Sequence, residues 1–143
     1  MRAIILSGLF ALAATGGWAE GQAHKVAVHV DQNDPQVMNM ALNNVANLTE
    51  YYEGQGDTVT VEVVTYGPGL TMLIDGESPV ADRVAAMSLE MDNLQFSACA
   101  NTLAGMQKKA GHDIPLLSEA VVVPSGVVRL IALQEDGYAY VRP

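Results

Sequence analysis

The residue best suited to chemistry is Cys99, which lies in the stretch FSACANTL between Phe96 and Leu103 and is the single cysteine of the chain. A cysteine thiolate is a strong nucleophile, and its availability depends on the pKa of the thiol. The residues before Cys99 are apolar and those after it have helical character, so we expect a turn from strand to helix here. One cysteine excludes an internal disulfide and any mechanism that needs two nearby thiols.

The start of a helix would favour the thiolate form of Cys99. The first backbone N–H groups of a helix have no partners within the helix, and the helix dipole is positive at that end. Asn101 and Thr102 follow closely, and we predict that they shape the pocket around the sulfur. Free cysteine is also among the residues most often buried in protein cores. Position alone therefore leaves open whether Cys99 is a reactive thiol or a packing residue.

The histidines suggest less chemistry than the cysteine. His29 lies inside an apolar run and is predicted to be a buried, hydrogen-bonded histidine, with a supporting role beside Cys99 as the alternative. His24 and His112 are too widely spaced in sequence to indicate a zinc site, so no metal is predicted. The segment DQNDP, which follows the first apolar run, is negative and lacks the glycines or hydroxyls that bind a flavin phosphate. No cofactor is therefore expected.

The elements that would position these residues alternate along the chain. Apolar, β-branched runs predict five strands, at residues 25–30, 58–66, 94–98, 120–123 and 138–141. Asp34 and Pro35 form a typical helix start. The buried face of that first helix is predicted to comprise Val37, Ala41, Val45, Leu48 and Tyr52. Met72, Met87 and Met91 are predicted to belong to the core rather than to a soft-metal site.

The alternation of five strands with four helices predicts an α/β fold. We expect a flavodoxin-like three-layer sandwich with a mostly parallel five-stranded sheet. Sites in open α/β sheets lie at the carboxyl ends of strands, where the strand order switches. In the flavodoxin-like order this switch falls beside the first and third strands, which would place the loop after His29 opposite Cys99.

The N-terminus has the pattern of a secretory signal peptide. Arg2 gives a positive start, residues 3–14 are almost wholly apolar, and small residues lead to Ala19. The apolar run is shorter than the roughly 20 residues of a membrane-spanning helix. We therefore predict a signal peptide at residues 1–19, a single domain at residues 20–143, and a periplasmic or secreted location.

The charge of the chain limits its partners. Seven Lys and Arg residues stand against 16 Asp and Glu residues, which gives a net charge of −9 at pH 7. Such a surface repels phosphate backbones and anionic lipids, so we expect no nucleic acid partner and no membrane association after signal cleavage. Apolar residues make up 50% of the chain, which is too many for a disordered protein.

Three segments resemble a known family. They are KVAVHVD near the start, FSACANTL around Cys99, and VVPSGVVRLIALQEDGYAYVRP at the end. Through them, residues 25 to 143 resemble the DsrE/DsrF-like family of sulfur-relay proteins, in a small exported branch. The resemblance implies a flavodoxin-like fold and a homo-oligomer, either a trimer or a hexamer. It also implies that Cys99 carries sulfur as a persulfide.

Two functions are consistent with the sequence. The first is an exported sulfur-handling protein that carries or transfers sulfur as a persulfide on Cys99, supported by His29, Asn101 and Thr102. Its partners would be sulfur donor and acceptor proteins or small thiols. The alternative is a non-catalytic oligomeric module on the same fold, which binds a small ligand or a protein and in which Cys99 is structural. Whether the protein is an enzyme stays open.

Overall fold

The computed structural model describes residues 21–143, so the signal peptide predicted at residues 1–19 lies outside the described residues. Five strands are present in the described part: β1 (Ala23–Val30), β2 (Thr58–Thr65), β3 (Leu94–Cys99), β4 (Ala120–Val123) and β5 (Ala139–Val141). Four α-helices alternate with them over the same range: α1 (Pro35–Glu53), α2 (Ala81–Glu90), α3 (Ala100–Ala110) and α4 (Gly126–Glu135). A 3-10 segment, Gly67–Leu73, follows β2.

The five strands pair in parallel in the order β4-β3-β2-β1-β5. Right-handed crossovers place α1, α2 and α3 on one face, because the chain advances in one direction from β1 to β4. The return from β4 to β5 runs the other way, so α4 covers the opposite face. The predicted α/β class, with helices on both faces of a parallel sheet, is confirmed.

The strand order corrects one expectation about the site. The loops after β1 and β3 were predicted to face each other. This is wrong, because β2 lies between β1 and β3. β3 and β4 are neighbours in the sheet, and the helices that follow them, α3 and α4, lie on opposite faces. No other pair of neighbouring strands in the described part is followed by helices on opposite faces. The switch point is therefore at the carboxyl ends of β3 and β4, which is the end of β3 that carries Cys99.

The two faces of the sheet differ in how much apolar surface they bury. The face under α1, α2 and α3 holds a contiguous core of 18 buried residues, whereas the face under α4 holds a cluster of four. Met72 and Met87 are buried in the larger core and Met91 packs against it, which confirms that these methionines are core residues. The smaller cluster consists of Ala27, Val64, Leu130 and Leu133.

The first helix begins as predicted. Asp34 is its N-cap, with Oδ1 accepting a hydrogen bond from the Gln36 amide at 2.8 Å, and Pro35 is its first residue. The predicted buried face is partly wrong, because the fully buried side chains are Met38, Ala41, Leu42, Val45 and Thr49. Val37, Leu48 and Tyr52 are half-buried. The buried stripe is shifted by about one residue, so that Met38 and Leu42 belong to the core that packs on the sheet.

The 3-10 segment is an integral part of the core rather than a surface loop. Its residues from Gly69 to Leu73 are buried. Gly69 lies directly against the backbone of Val30 and Asp31 at the end of β1, so that any Cβ here would overlap it.

Within residues 21–143, no helix is both long and apolar enough to cross a membrane.

Candidate functional site

Cys99 is the last residue of β3 and the N-cap of α3. Its backbone is extended, with φ −70° and ψ 115°, and its Sγ accepts a hydrogen bond from the Thr102 amide at 3.4 Å. The sulfur thus occupies the position that a serine or aspartate oxygen takes at most helix starts. The predicted turn from strand to helix at Cys99 is confirmed.

A second helix also begins beside this sulfur. Val123 pairs with Cys99 across β3 and β4, and α4 starts at Gly126, three residues later. Burial raises the pKa of the Cys99 thiol. Hydrogen bonds from the Thr102 hydroxyl and from the amides of Gly126, Thr102 and Asn101 outweigh that effect, and the pKa falls below its usual value. The starts of α3 and α4 together therefore favour the thiolate.

The two predicted pocket residues behave differently. The Thr102 hydroxyl accepts a hydrogen bond from the Gly67 amide at 3.0 Å, which leaves its own proton free to point at the Cys99 sulfur. Asn101 contributes its backbone amide, while its side chain is exposed and lines a shallow apolar depression together with Gly105. The structure thus brings Thr102 to the sulfur and leaves the Asn101 side chain outside.

The thiol is covered in the single chain, because Cys99 is only 4% exposed. Part of the surrounding structure is Tyr66, which follows β2 and packs on the start of α4. A Cβ on Gly126 would lie 2.7 Å from Tyr66 Cδ1. Burial, and then the charge of Asp31, raise the pKa of Tyr66, and Cys99 adds to the rise. Tyr66 is therefore a neutral phenol close to the sulfur.

His29 is a buried, hydrogen-bonded histidine, as predicted. It is 4% exposed, and its Nδ1 lies 2.7 Å from the Tyr140 hydroxyl. Its ring stacks on Tyr66, with 4.6 Å between the ring centroids. Its Nε2 is buried without a hydrogen-bond partner among the described residues. A ring that donates from Nδ1 and leaves Nε2 as a bare acceptor avoids burying an unpaired N–H.

His29 does not lie beside Cys99. It is in register with Val64 on β2, which is in turn in register with Ser97 on β3, two residues before the cysteine. Burial lowers the pKa of His29; Asp31 opposes this effect and Arg142 adds to it. The unfolded chain takes up a proton near pH 6.5 and the folded chain does so only at lower pH. Acidification through that window therefore reduces the contribution of His29 to stability.

Sequence reasoning missed Tyr66, Gly67 and Gly126. Each of them follows a strand that neighbours β3 in the sheet. Tyr66 and Gly67 follow β2, and Gly126 follows β4. Nothing in the local sequence places them beside Cys99, because that proximity depends on strand order. The sequence does show Gly67-Pro68-Gly69 as a break after a strand and Pro124-Ser125-Gly126 as the start of a helix, and segments of this kind that follow parallel strands are the available signal for a site.

A cleft of about 400 Å³ opens beside α4, on the face of the sheet that this helix covers. Glu62, Gln95 and Arg129 line it with neighbouring polar residues. Within residues 21–143, no three His, Cys, Asp or Glu side chains are grouped as metal ligands would be.

No protein-family model matches the chain, and no curated protein matches it. The chain is similar over most of its length to a solved structure. That structure is MTH1491 from Methanobacterium thermoautotrophicum, described as a protein of unknown function. The identity is 33%, the match covers 84% of this chain and 99% of MTH1491, and the TM-score is 0.70.

Proposed function

The chain belongs to the same family as MTH1491, and we propose that it is an exported, DsrE/DsrF-like sulfur-handling protein that carries sulfur as a persulfide on Cys99. The observation that supports this most directly is the environment of the sulfur. The Thr102 amide donates a hydrogen bond to it at 3.4 Å, and the Thr102 hydroxyl and the amides of Gly126 and Asn101 add to the effect that lowers the pKa of this buried thiol. A cysteine that serves only to fill a core needs none of these donors.

The chemistry requires only one cysteine. The Cys99 thiolate attacks the outer sulfur of a donor persulfide, the S–S bond of the donor breaks, and the donor leaves as a thiolate. A new S–S bond then joins Cys99 to the transferred sulfur, and no net oxidation occurs. An acceptor thiolate attacks that outer sulfur in turn and releases Cys99 as thiolate. Donor and acceptor are proteins or small thiols, and each supplies one of the two other thiols.

The near-complete burial of Cys99 limits the form of the donor. At 4% exposure, the sulfur is reached by a small persulfide or after movement of a neighbouring segment. The same burial is the observation that favours the alternative function, a non-catalytic oligomeric module that binds a small ligand or a protein and in which Cys99 is a packing residue. The two proposals differ in whether the folded thiol reacts.

Mass spectrometry separates the two. We expect the folded protein, treated with a low-molecular-weight persulfide and then alkylated, to gain one sulfur atom, and the Cys99→Ser variant to gain none. A second incubation with a small thiol should remove the added sulfur. The control is iodoacetamide alkylation of the same folded sample. If Cys99 resists both reagents until the chain is unfolded in urea, the carrier function is wrong and the structural cysteine is supported.

We also propose that the protein is a homo-oligomer, a trimer or a hexamer. The support from the described surface is a set of exposed apolar side chains around one edge of the sheet and the outer side of α4: Val121, Val122, Val127, Val128 and Ile131. β4 is an edge strand, and exposed apolar edges are typical sites of association.

Native mass spectrometry tests the assembly. We expect Ile131→Glu to shift the protein toward the monomer, because a charge on the outer side of α4 would be buried without a partner at the interface. The matched control is Leu89→Glu on α2, where an equally apolar residue is 86% exposed on the other face of the sheet. A wild-type protein that is monomeric at high micromolar concentration would refute the proposal.

A further inference from the structure

A carboxylate lies buried in the middle of the sheet, on the face that α4 covers. Glu62 on β2 is only 3% exposed. Its Oε1 accepts hydrogen bonds from Arg129 Nε at 2.7 Å and from the Ser97 hydroxyl at 2.6 Å, and its Oε2 accepts one from Arg129 Nη2 at 2.6 Å. Buried ion pairs are often no more stabilising than apolar residues of the same size, so their presence calls for another explanation.

The ion pair gives α4 a directional attachment that its apolar contacts do not. Only two side chains of α4, Leu130 and Leu133, belong to the small apolar cluster on this face. Apolar contacts are non-directional, so two of them constrain the rotation and the axial position of a helix less tightly than a directional bond does. A two-point pairing between a guanidinium and a carboxylate fixes both. Arg129 on α4 and Glu62 on the sheet make such a pairing.

Both hydrogen-bond partners of Glu62, Arg129 and Ser97, lie close in sequence to residues of the thiol site. Arg129 lies three residues after Gly126, in the first turn of α4, and its amide bonds to the Ser125 carbonyl at 2.9 Å. Ser97 lies two residues before Cys99 on β3, and its side chain is on the same face of the sheet. Glu62 therefore joins β3, which ends at Cys99, to α4, whose first residue is Gly126.

We propose that Glu62, Arg129 and Ser97 are positioning residues that hold the first turn of α4 so that the Gly126 amide faces the Cys99 sulfur. Their relevance to sulfur transfer rests on the proposed function, whereas the positioning itself does not. The groups that bear on the thiol are the donors of α3 and α4 and the neighbouring Tyr66 at the end of β2.

The test is the pH midpoint of Cys99 alkylation in the folded protein. We expect Glu62→Gln to raise this midpoint by about one pH unit, because the thiolate loses a hydrogen bond from a charge-stabilising amide. Ser97→Ala, which removes one bond of the network and keeps the ion pair, should raise the midpoint by less. The matched control is Lys25→Met. It removes the Lys25–Asp136 ion pair at the other end of α4, 3.0 Å long, and should leave the midpoint unchanged.

A second measurement covers the case in which Glu62→Gln folds poorly. In wild-type protein labelled with ¹⁵N, the Gly126 amide resonance should titrate with Cys99, and in Ser97→Ala the amplitude of that titration should be smaller. The positioning role is wrong if folded Glu62→Gln keeps the wild-type midpoint, if Lys25→Met shifts it equally, or if the Gly126 resonance ignores the thiol. A wild-type protein that takes up no sulfur, while Glu62→Gln still shifts the midpoint, would refute the proposed function and leave the positioning role intact.

Discussion

Replacing Gly69 with alanine is expected to destabilise the protein by about 3 kcal/mol, the upper range for forcing an extra carbon into a packed site. The added Cβ would overlap the Val30 carbonyl oxygen, lie 2.6 Å from the Val30 carbonyl carbon and lie 2.8 Å from Asp31 Cα. These are backbone atoms at the end of β1, so no side-chain rotation relieves the contact. Urea unfolding followed by circular dichroism measures the loss.

Gly105→Ala is the matched control for this prediction. Gly105 is exposed on α3, and a Cβ there would have nothing within 4 Å. Alanine at this helical position should stabilise the protein by about 0.5–1 kcal/mol, because it restricts the unfolded chain and has a higher helix propensity. Equal unfolding free energies for the two variants would show that the 3-10 segment does not press on β1 as described.

The consequence of the Gly69 substitution extends to the sulfur. The 3-10 segment begins at Gly67, whose amide donates to Thr102, and Thr102 contacts Cys99. A displaced 3-10 segment would therefore disturb the hydroxyl that stabilises the thiolate. A contact at the end of β1 thus reaches the end of β3 through one loop and one threonine, although β2 separates the two strands.

Local sequence patterns are enough to predict the five strands, the four α-helices and the fold class, but not the 3-10 segment. Asp34 and Pro35 start α1, and Gly111, in a left-handed conformation with φ 76°, ends α3, because capping depends on residues close in sequence. The strand order was not predictable in the same way. Periodicity shows that a segment is a strand, and says nothing about which strand lies beside it. The expectation that the loops after β1 and β3 face each other is wrong for that reason.

The polar network around Glu62 left a weaker trace in the sequence. In TVTVEVVT, polar residues occupy alternate positions up to Glu62, which is the pattern of a strand with one face less apolar than the other. The alternation identifies a strand but does not connect Glu62 to Arg129, which is 67 residues away. Pairing between distant charges depends on the three-dimensional arrangement, so the sequence indicated the uneven face and could not identify the partner.

Thr102→Val is expected to raise the pH midpoint of Cys99 alkylation by about one unit and to slow alkylation at neutral pH about tenfold. Burial is the largest influence on this thiol and raises its pKa, and the Thr102 hydroxyl is the strongest of the bonds that lower it. Valine has nearly the shape of threonine without the hydroxyl, so the donor is lost while the volume stays. Alkylation rates measured at a series of pH values give the midpoint. The series runs from about pH 6 to 10, a range set by the usual thiol pKa of about 8.5.

Thr102→Ser separates the hydroxyl from the methyl group, since serine keeps the donor and should keep the wild-type midpoint. The valine variant should also lose about 1–3 kcal/mol of stability, because the half-buried Gly67 amide loses its acceptor. Any opening of the site that follows from this loss of stability would offset part of the slowing at every pH without moving the midpoint, so the midpoint rather than the rate at one pH identifies the role of the hydroxyl. Equal midpoints for Thr102→Val and Thr102→Ser would mean that the backbone amides alone stabilise the thiolate.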